Sequence, residues 1–371
     1  MRYERGTLHE LLGDFVVYRS LAPQDARLPG QAEIWAELGL PKSYLPRKAE
    51  APYAQVILRI LQAAQALRTR APLSRLLYIG DTKRNDALTI ASLGKHLPIR
   101  GFIAAEAAGE PEKVEIQGGV MYANRWEALA DFLDWLHKER YPLDDETALL
   151  LDLDKTAFGA RGRNSQVIDS ARVAALRRTV EEALGGAFDE QAFRTVYDEL
   201  NQEKYHGFTY DNQDFLAYIC LMVVGGAYEF SKLLSDLAAG RLRTFADFIA
   251  ACAGRPIPKE LAPIHQEVYA SFRQGDPTPF KSFRRREYEE TVARMDSLPD
   301  EATEEVVLAE EIVLTREVIE LCRYLKGKGV LIFGLTDKPD EASLPPPELR
   351  ARGYPPLHRA RMKLLGTPLG L

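Results

Sequence analysis

The sequence predicts an α/β protein, a doubly wound parallel sheet carrying a mostly helical second domain. Three observations predict it. Four short apolar runs end abruptly in polar residues, helical patterns lie between them, and the stretch 169–299 has no clear strand run. The runs are Leu76 to Ile79 before Gly80-Asp81, Ile99 to Ala105 before Glu106, Ala148 to Leu151 before Asp152, and Val330 to Leu335 before Thr336-Asp337-Lys338. Continuous rather than alternating hydrophobicity marks strands covered on both faces, as in a parallel sheet under helices. Phe15 to Tyr18 is a weaker fifth strand.

Between the runs, Tyr53 to Leu67 spaces its apolar residues by three and four, the stripe of a packed helix. Asn124 to His137 opens on an N-cap residue with Glu127 three positions on, the pattern of a capping box. Val306 to Leu325 reads as one long helix, stopped by Lys326-Gly327-Lys328-Gly329. Strand alternating with helix gives the doubly wound layer. The stretch 169–299 contains amphipathic helical segments divided by turns at Gly185-Gly186, Gly254-Arg255-Pro256 and Gly275-Asp276-Pro277. It falls between the third and fourth strands, so the α/β domain is discontinuous, 1–168 with 300–371. Pro345-Pro346-Pro347 and Pro355-Pro356 mark an extended tail or ordered loop.

Composition narrows the function classes. A chain of 371 residues, 46% hydrophobic, is long and apolar enough for about two domains with full cores, which excludes general disorder. Its net charge of -6 argues against a general nucleic-acid binder. Cys220, Cys252 and Cys322 are scattered, with no CxxC, so neither a disulfide framework nor a zinc site is expected, and a reducing cytoplasm is the simple reading. The start, Met1 to Arg5, lacks the apolar stretch of a signal peptide, and the longest uncharged apolar run, Phe215 to Tyr228, is 14 residues, too short for a bilayer. A buried helix or strand is expected there, and no membrane partner. No GxxxxGK[ST] and no GxGxxG after a strand are present, which argues against a P-loop enzyme and a dinucleotide-binding dehydrogenase.

The strongest local signal is Leu149-Leu150-Leu151-Asp152-Leu153-Asp154-Lys155-Thr156. It sets two carboxylates just past a buried strand, at the sheet edge where open α/β proteins bind ligands. Crowded carboxylates raise one another's pKa, and an oxygen-ligated Mg²⁺ removes that cost. The competing reading is a solvated turn. A second signal, Leu77-Tyr78-Ile79-Gly80-Asp81, adds Asp81 and, five residues on, Asp86. Either acid could instead serve as a helix N-cap, an alternative that weighs more on Asp86. The third is Leu331 to Thr336, an apolar strand ending in a hydroxyl.

These segments resemble motifs of the haloacid dehalogenase-like superfamily of phosphatases: DxDx[TV] at Asp152, the GD strand with a second acid at Asp81 and Asp86, and the strand-terminal Thr at Thr336. The superfamily's remaining motif is a Lys ahead of a helix. Lys48, in Leu45-Pro46-Arg47-Lys48-Ala49-Glu50-Ala51-Pro52, matches best, with Lys42 and Lys338 as competitors. The order along the chain is Lys48, Asp81, Asp152, Thr336, a cyclic shift of the family order. The resemblance therefore implies a Rossmann-like core that is circularly permuted, with 169–299 as a helical cap. Pairing of halves between two chains in a swapped dimer would give the same order, so a homodimer stays open.

What the resemblance implies chemically is a Mg²⁺-dependent phosphohydrolase acting on a small phosphorylated metabolite. Asp152 would be the nucleophile and Asp154 the general acid and base. Asp152, Asp154 through its carbonyl, Asp81 and Asp86 would hold the metal, and Thr336 and Lys48 the transferring oxygens. Arg161 and Arg163 are candidates for a second anionic group of the substrate, and His206, in Tyr205 to Tyr210, for a polar loop of the cap. For these three, and for the basic cluster Arg284-Arg285-Arg286, surface charge or a structural role is the competing reading. A phosphomutase, or a catalytically inactive binding or regulatory protein on the same fold, are the alternative functions.

Overall fold

The computed structural model describes residues 2–42, 44–48 and 50–371. Met1 and Ala49, quoted in the motifs above, lie outside the described residues. The chain divides into two compact units, Met1–Ser170 with Thr291–Leu371, and Ala171–Glu290. Among the described residues there are ten strands: β1 (Arg5–Gly6), β2 (Val16–Val17), β3 (Arg75–Gly80), β4 (Ile99–Ala104), β5 (Val114–Gln117), β6 (Val120–Ala123), β7 (Thr147–Asp152), β8 (Leu314–Thr315), β9 (Leu331–Leu335) and β10 (Met362–Leu365). All ten belong to the first unit.

Seven strands form one sheet in the order β2-β9-β7-β3-β4-β6-β5. Every neighbouring pair is parallel except β5 with β6. The α/β class and the mostly parallel sheet expected from the sequence are therefore present. β7 is an interior strand, between β9 and β3, and all six of its residues are buried. That double-sided burial is why the sequence there is a continuous apolar run. Helices Ala51–Arg68 and Asn85–Leu93 share a core with this sheet, with Val56, Ile57, Ile60 and Ile90 packed among Leu76, Tyr78, Leu150 and Phe333.

Three sequence expectations need correction. The span Val306 to Leu325 is two helices, Glu304–Glu310 and Arg316–Gly327, with β8 between them. The break has a cause in Asn164, whose side chain donates to the carbonyls of Leu308 and Glu311 and accepts from the Val313 amide. These bonds hold the chain extended just where the helical pattern continues. The capping box at Asn124 does not form: its side chain bonds the backbone of Pro111 and Lys113, and the chain enters helix Leu129–Lys138 through a single turn at Trp126–Ala128. The C-terminal tail is more ordered than its prolines suggest. It forms helix Pro347–Ala351 and then β10, which lies between β1 and β8 in a second, three-stranded sheet.

Among its described residues the second unit has no strand. Its helices include Glu190–Leu200, Gln213–Val224, Phe230–Ala238, Phe245–Ala253 and Ala262–Arg273. They enclose a core of their own in which Phe215, Tyr218, Leu221, Phe245 and Phe248 are buried. The apolar run at 215–228 is thus mostly a buried helix. Among the described residues no helix is long and apolar enough to cross a membrane. Arg284 is a buried structural cation of this unit, with its Nη2 2.6 Å from Asp214 and its Nη1 2.5 Å from Glu287.

Candidate functional site

Three adjacent parallel strands, β9, β7 and β3, deliver the site. Asp152 stands opposite Leu335 of β9, and Leu151 opposite Ile79 of β3. Parallel pairing in this register makes the carboxyl ends of all three strands emerge together, so Asp152, Thr336 and Asp81 leave one sheet edge. Asp152, Asp81 and Thr336 are each about 5% exposed.

Lys48 enters the same place from the segment before helix Ala51–Arg68. Its Nζ is 2.9 Å from Asp152 Oδ1 and 3.3 Å from Asp86 Oδ1, and the residue is buried. Asp86, in the first turn of helix Asn85–Leu93, is fully buried and richly bonded. Its Oδ1 also accepts from the Tyr78 hydroxyl at 2.7 Å. Its Oδ2 accepts from the Asp81 amide at 3.1 Å, the Thr82 amide at 2.8 Å and the Thr82 hydroxyl at 2.9 Å. Gly80 makes this approach possible, since a Cβ there would lie 2.5 Å from Asp86 Oδ2. Asp81 is ion-paired with Arg161.

The electrostatics follow from three buried carboxylates against two cations, Lys48 and Arg161. Burial pushes the Asp152 carboxyl well above its usual range; Lys48 opposes this, while Asp86 and Asp81 reinforce it. Burial also raises Asp81, against the pull of Arg161 and with help from Asp86. For Asp86, burial is outweighed by Lys48 and by the hydrogen bonds from Tyr78 and Thr82, and its carboxyl is lowered. Burial works against the charge on Lys48, but Asp152, Tyr78, Asp86 and Asp337 hold it well above its ordinary value. The result is a fixed ammonium and an ionised Asp86 beside two carboxyl groups, Asp152 and Asp81, whose ionisation a further cation would favour. Asp81, Asp86 and Asp152 each offer an oxygen within 4.8 Å of the others', so the cluster could hold a metal ion. An all-oxygen donor set of this kind suits a hard divalent cation.

Asp154 follows in the loop after β7, whose turn places Lys155 at φ 62°. Asp154 Oδ1 is buried without a hydrogen bond among the described residues, and Lys338 Nζ lies 3.8 Å from it. The Lys338 amide donates to Thr336 Oγ1 at 3.1 Å, which fixes that hydroxyl at the end of β9. Of the residues singled out from sequence, Lys48, Asp81, Asp86, Asp152, Asp154 and Thr336 are gathered here, with Arg161 beside Asp81. Lys42 is exposed, whereas Lys338 is buried against Asp154. Arg163 is turned to other work. Its guanidinium is held by Glu106, Glu127 and Glu317, a clasp joining three distant segments. His206 belongs to the helical unit, where its Nε2 is 3.7 Å from Asp211 Oδ1. Tyr78 and Thr82 were not singled out from sequence. The only signal for them was their place beside Gly80-Asp81.

No family model matches the sequence, and no curated protein and no solved structure matches it either.

Proposed function

We propose that this chain is a Mg²⁺-dependent phosphohydrolase of the haloacid dehalogenase-like kind, with a circularly permuted core, acting on a small phosphomonoester. The observation that carries the reading is the position of Lys48. A lysine 104 residues away in sequence lies 2.9 Å from the first carboxylate of the DxD pair, on the strand between the GD strand and the Thr strand. Four segments matched separately to motifs of one chemistry thus meet at one sheet edge, in an order that a cyclic shift accounts for.

Asp152 attacks phosphorus, forming a bond from its carboxylate oxygen as the bond to the leaving oxygen breaks. Asp154 donates a proton to that leaving oxygen, then takes one from the water that cleaves the aspartyl-phosphate. Lys48 offsets the charge on the transferring oxygens, and the Thr336 hydroxyl bonds one of them. Asp152 and Asp81 would hold the metal directly, with the Asp154 carbonyl. Asp86, whose oxygens already accept from Lys48, Tyr78, Asp81 and Thr82, brackets the site by orienting Lys48 and the turn at Asp81. When bound, Mg²⁺ supplies charge that lets carboxylate and phosphate approach.

The test is phosphate release from a panel of phosphomonoesters, with Mg²⁺ and with chelator, for wild type and Asp152→Asn. The expected outcome is metal-dependent release that falls by ~10³-fold or more in the variant. Release equal in both proteins would remove Asp152 as nucleophile. No release from any substrate together with no Mg²⁺ binding would favour a binding protein.

A further inference from the structure

We propose that the open edge of β5 is a homodimer interface, in which two copies pair β5 antiparallel about a twofold axis at Val114 and join their seven-stranded sheets. β5 is the last strand of the sheet, and all four of its residues are exposed. Val114 and Ile116, 38% and 49% exposed, are among the few large apolar side chains left in solvent. A strand edge of this kind is a template for another strand.

The ladder shows which groups face outward. The Lys113 carbonyl accepts from the Asn124 amide at 3.2 Å, and its own amide donates to Asn124 Oδ1 at 2.8 Å. Lys113 therefore faces β6. By the alternation of an antiparallel pair Glu115 and Gln117 do so too, and the N–H and C=O groups of Glu112, Val114 and Ile116 point to the open edge.

Charge selects both the occupant and the register. Lys113 and Glu115 share one face of the strand, 3.8 Å apart at their charged ends. An axis at Val114 sets Lys113 of each copy opposite Glu115 of the other, and makes Val114 pair with itself through both of its outward groups. An axis at Glu115 would set that carboxylate against itself, and an axis at Ile116 would leave Glu115 facing only Gln117. The edge is thus self-complementary in one register, a property that points to a second copy of this chain. An edge blunted by charges of one sign would lack it. The contact is short, so the dimer should be a weak one.

Sedimentation equilibrium of the full chain over roughly 10–200 µM tests this. The mass should rise from 41.7 kDa toward twice that value as concentration increases. Val114→Pro removes an outward amide, leaves the β6 bonds in place and suits an edge strand, so it should stay monomeric. Lys113→Glu and Glu115→Lys should each weaken association about tenfold, and the double exchange should return it to near wild type. A wild type monomeric throughout, a Val114→Pro dimer, or a double exchange that fails to restore pairing would each overturn the proposal. Should the proline variant fail to fold, the charge exchanges still decide.

Discussion

Lys48 shows how one side chain can organise a buried charge cluster. Its ammonium touches two of three carboxylates, and burial of the group is tolerable because they surround it. A second charge network, half-exposed, lies elsewhere in the same unit, around Asp14. Its carboxylate accepts from Arg359 at 2.6 and 2.8 Å and stands 3.0 Å from His358 Nε2, whose Nδ1 is 2.7 Å from the Tyr18 hydroxyl. Burial works against the charge on Asp14, but Arg359 and His358 prevail and lower its carboxyl from 3.8 to about 2. A carboxyl lowered on folding contributes stability that is present above its unfolded value and lost as pH falls through the folded one. Burial lowers His358, which acts in the same direction, since a histidine kept neutral on folding costs stability once the unfolded chain takes up the proton. Asp14→Asn should therefore cost about 1–2 kcal/mol at pH 7, discounted for partial exposure. The cost should be roughly half as large at pH 3, where the wild-type advantage is fading. Urea unfolding of both proteins at the two pH values measures it; an equal gap at each would show that the contribution is not one of charge.

The loop after β7 is the element on which the site depends, and backbone contacts hold it. The Glu106 amide donates to the Arg161 carbonyl at 2.9 Å, and the Thr315 amide to the Ala157 carbonyl at 3.0 Å. Gly162 sits at φ 83° in this loop, where an added Cβ would lie 1.9 Å from the Glu106 carbonyl oxygen. The three nearest atoms are all Glu106 backbone, so no side chain can move aside. Gly162→Ala should cost about 3 kcal/mol or more and displace Arg161 from Asp81, readable as a lower unfolding midpoint in denaturant together with weaker Mg²⁺ affinity. A variant as stable as wild type would mean that the loop is held elsewhere. Strong elements of this kind were unevenly legible in the sequence. β3, β7 and β9 announced themselves because burial on both faces leaves only apolar residues. β10 did not, because Lys363 interrupts it, and only the fold shows that this lysine is buried against Glu311. β5 did not, because four exposed residues carry no packing signal. Asp152 stood out by the spacing of its DxD pair, whereas only the motif order that the family resemblance implies favoured Lys48 over Lys42 and Lys338. The diversion of Arg163 could not, because its partners at 106, 127 and 317 are far apart in sequence.

At the scale of the whole molecule, the chain order of the site segments is itself testable. β1 and β10 are antiparallel neighbours, with Arg5 opposite Lys363, so the two ends of the described chain lie near each other. The turn between helix Leu129–Lys138 and β7 is where the permuted reading places the former ends. Cutting between Arg140 and Tyr141 removes little, since the hydrogen bonds from the Tyr141 hydroxyl to the carbonyls of Leu76 and Pro98 can persist in the new first residue. Joining Leu371 to the N-terminus by a short flexible linker closes the other end, and loop-closure entropy changes by only about 1 kcal/mol for such lengths. The resulting chain would begin eleven residues ahead of Asp152 and meet Thr336, Lys48 and Asp81 in that order. If the sheet and the site depend on spatial neighbours rather than on chain order, this permutant should fold cooperatively, with a thermal midpoint within about 8 °C of wild type. It should also keep the same metal-dependent phosphate release. A permutant that folds but has lost release, when the wild type shows it, would mean that the backbone continuity at Arg140-Tyr141 positions Asp152. A permutant that does not fold would mean that the order of the segments is part of what specifies the sheet.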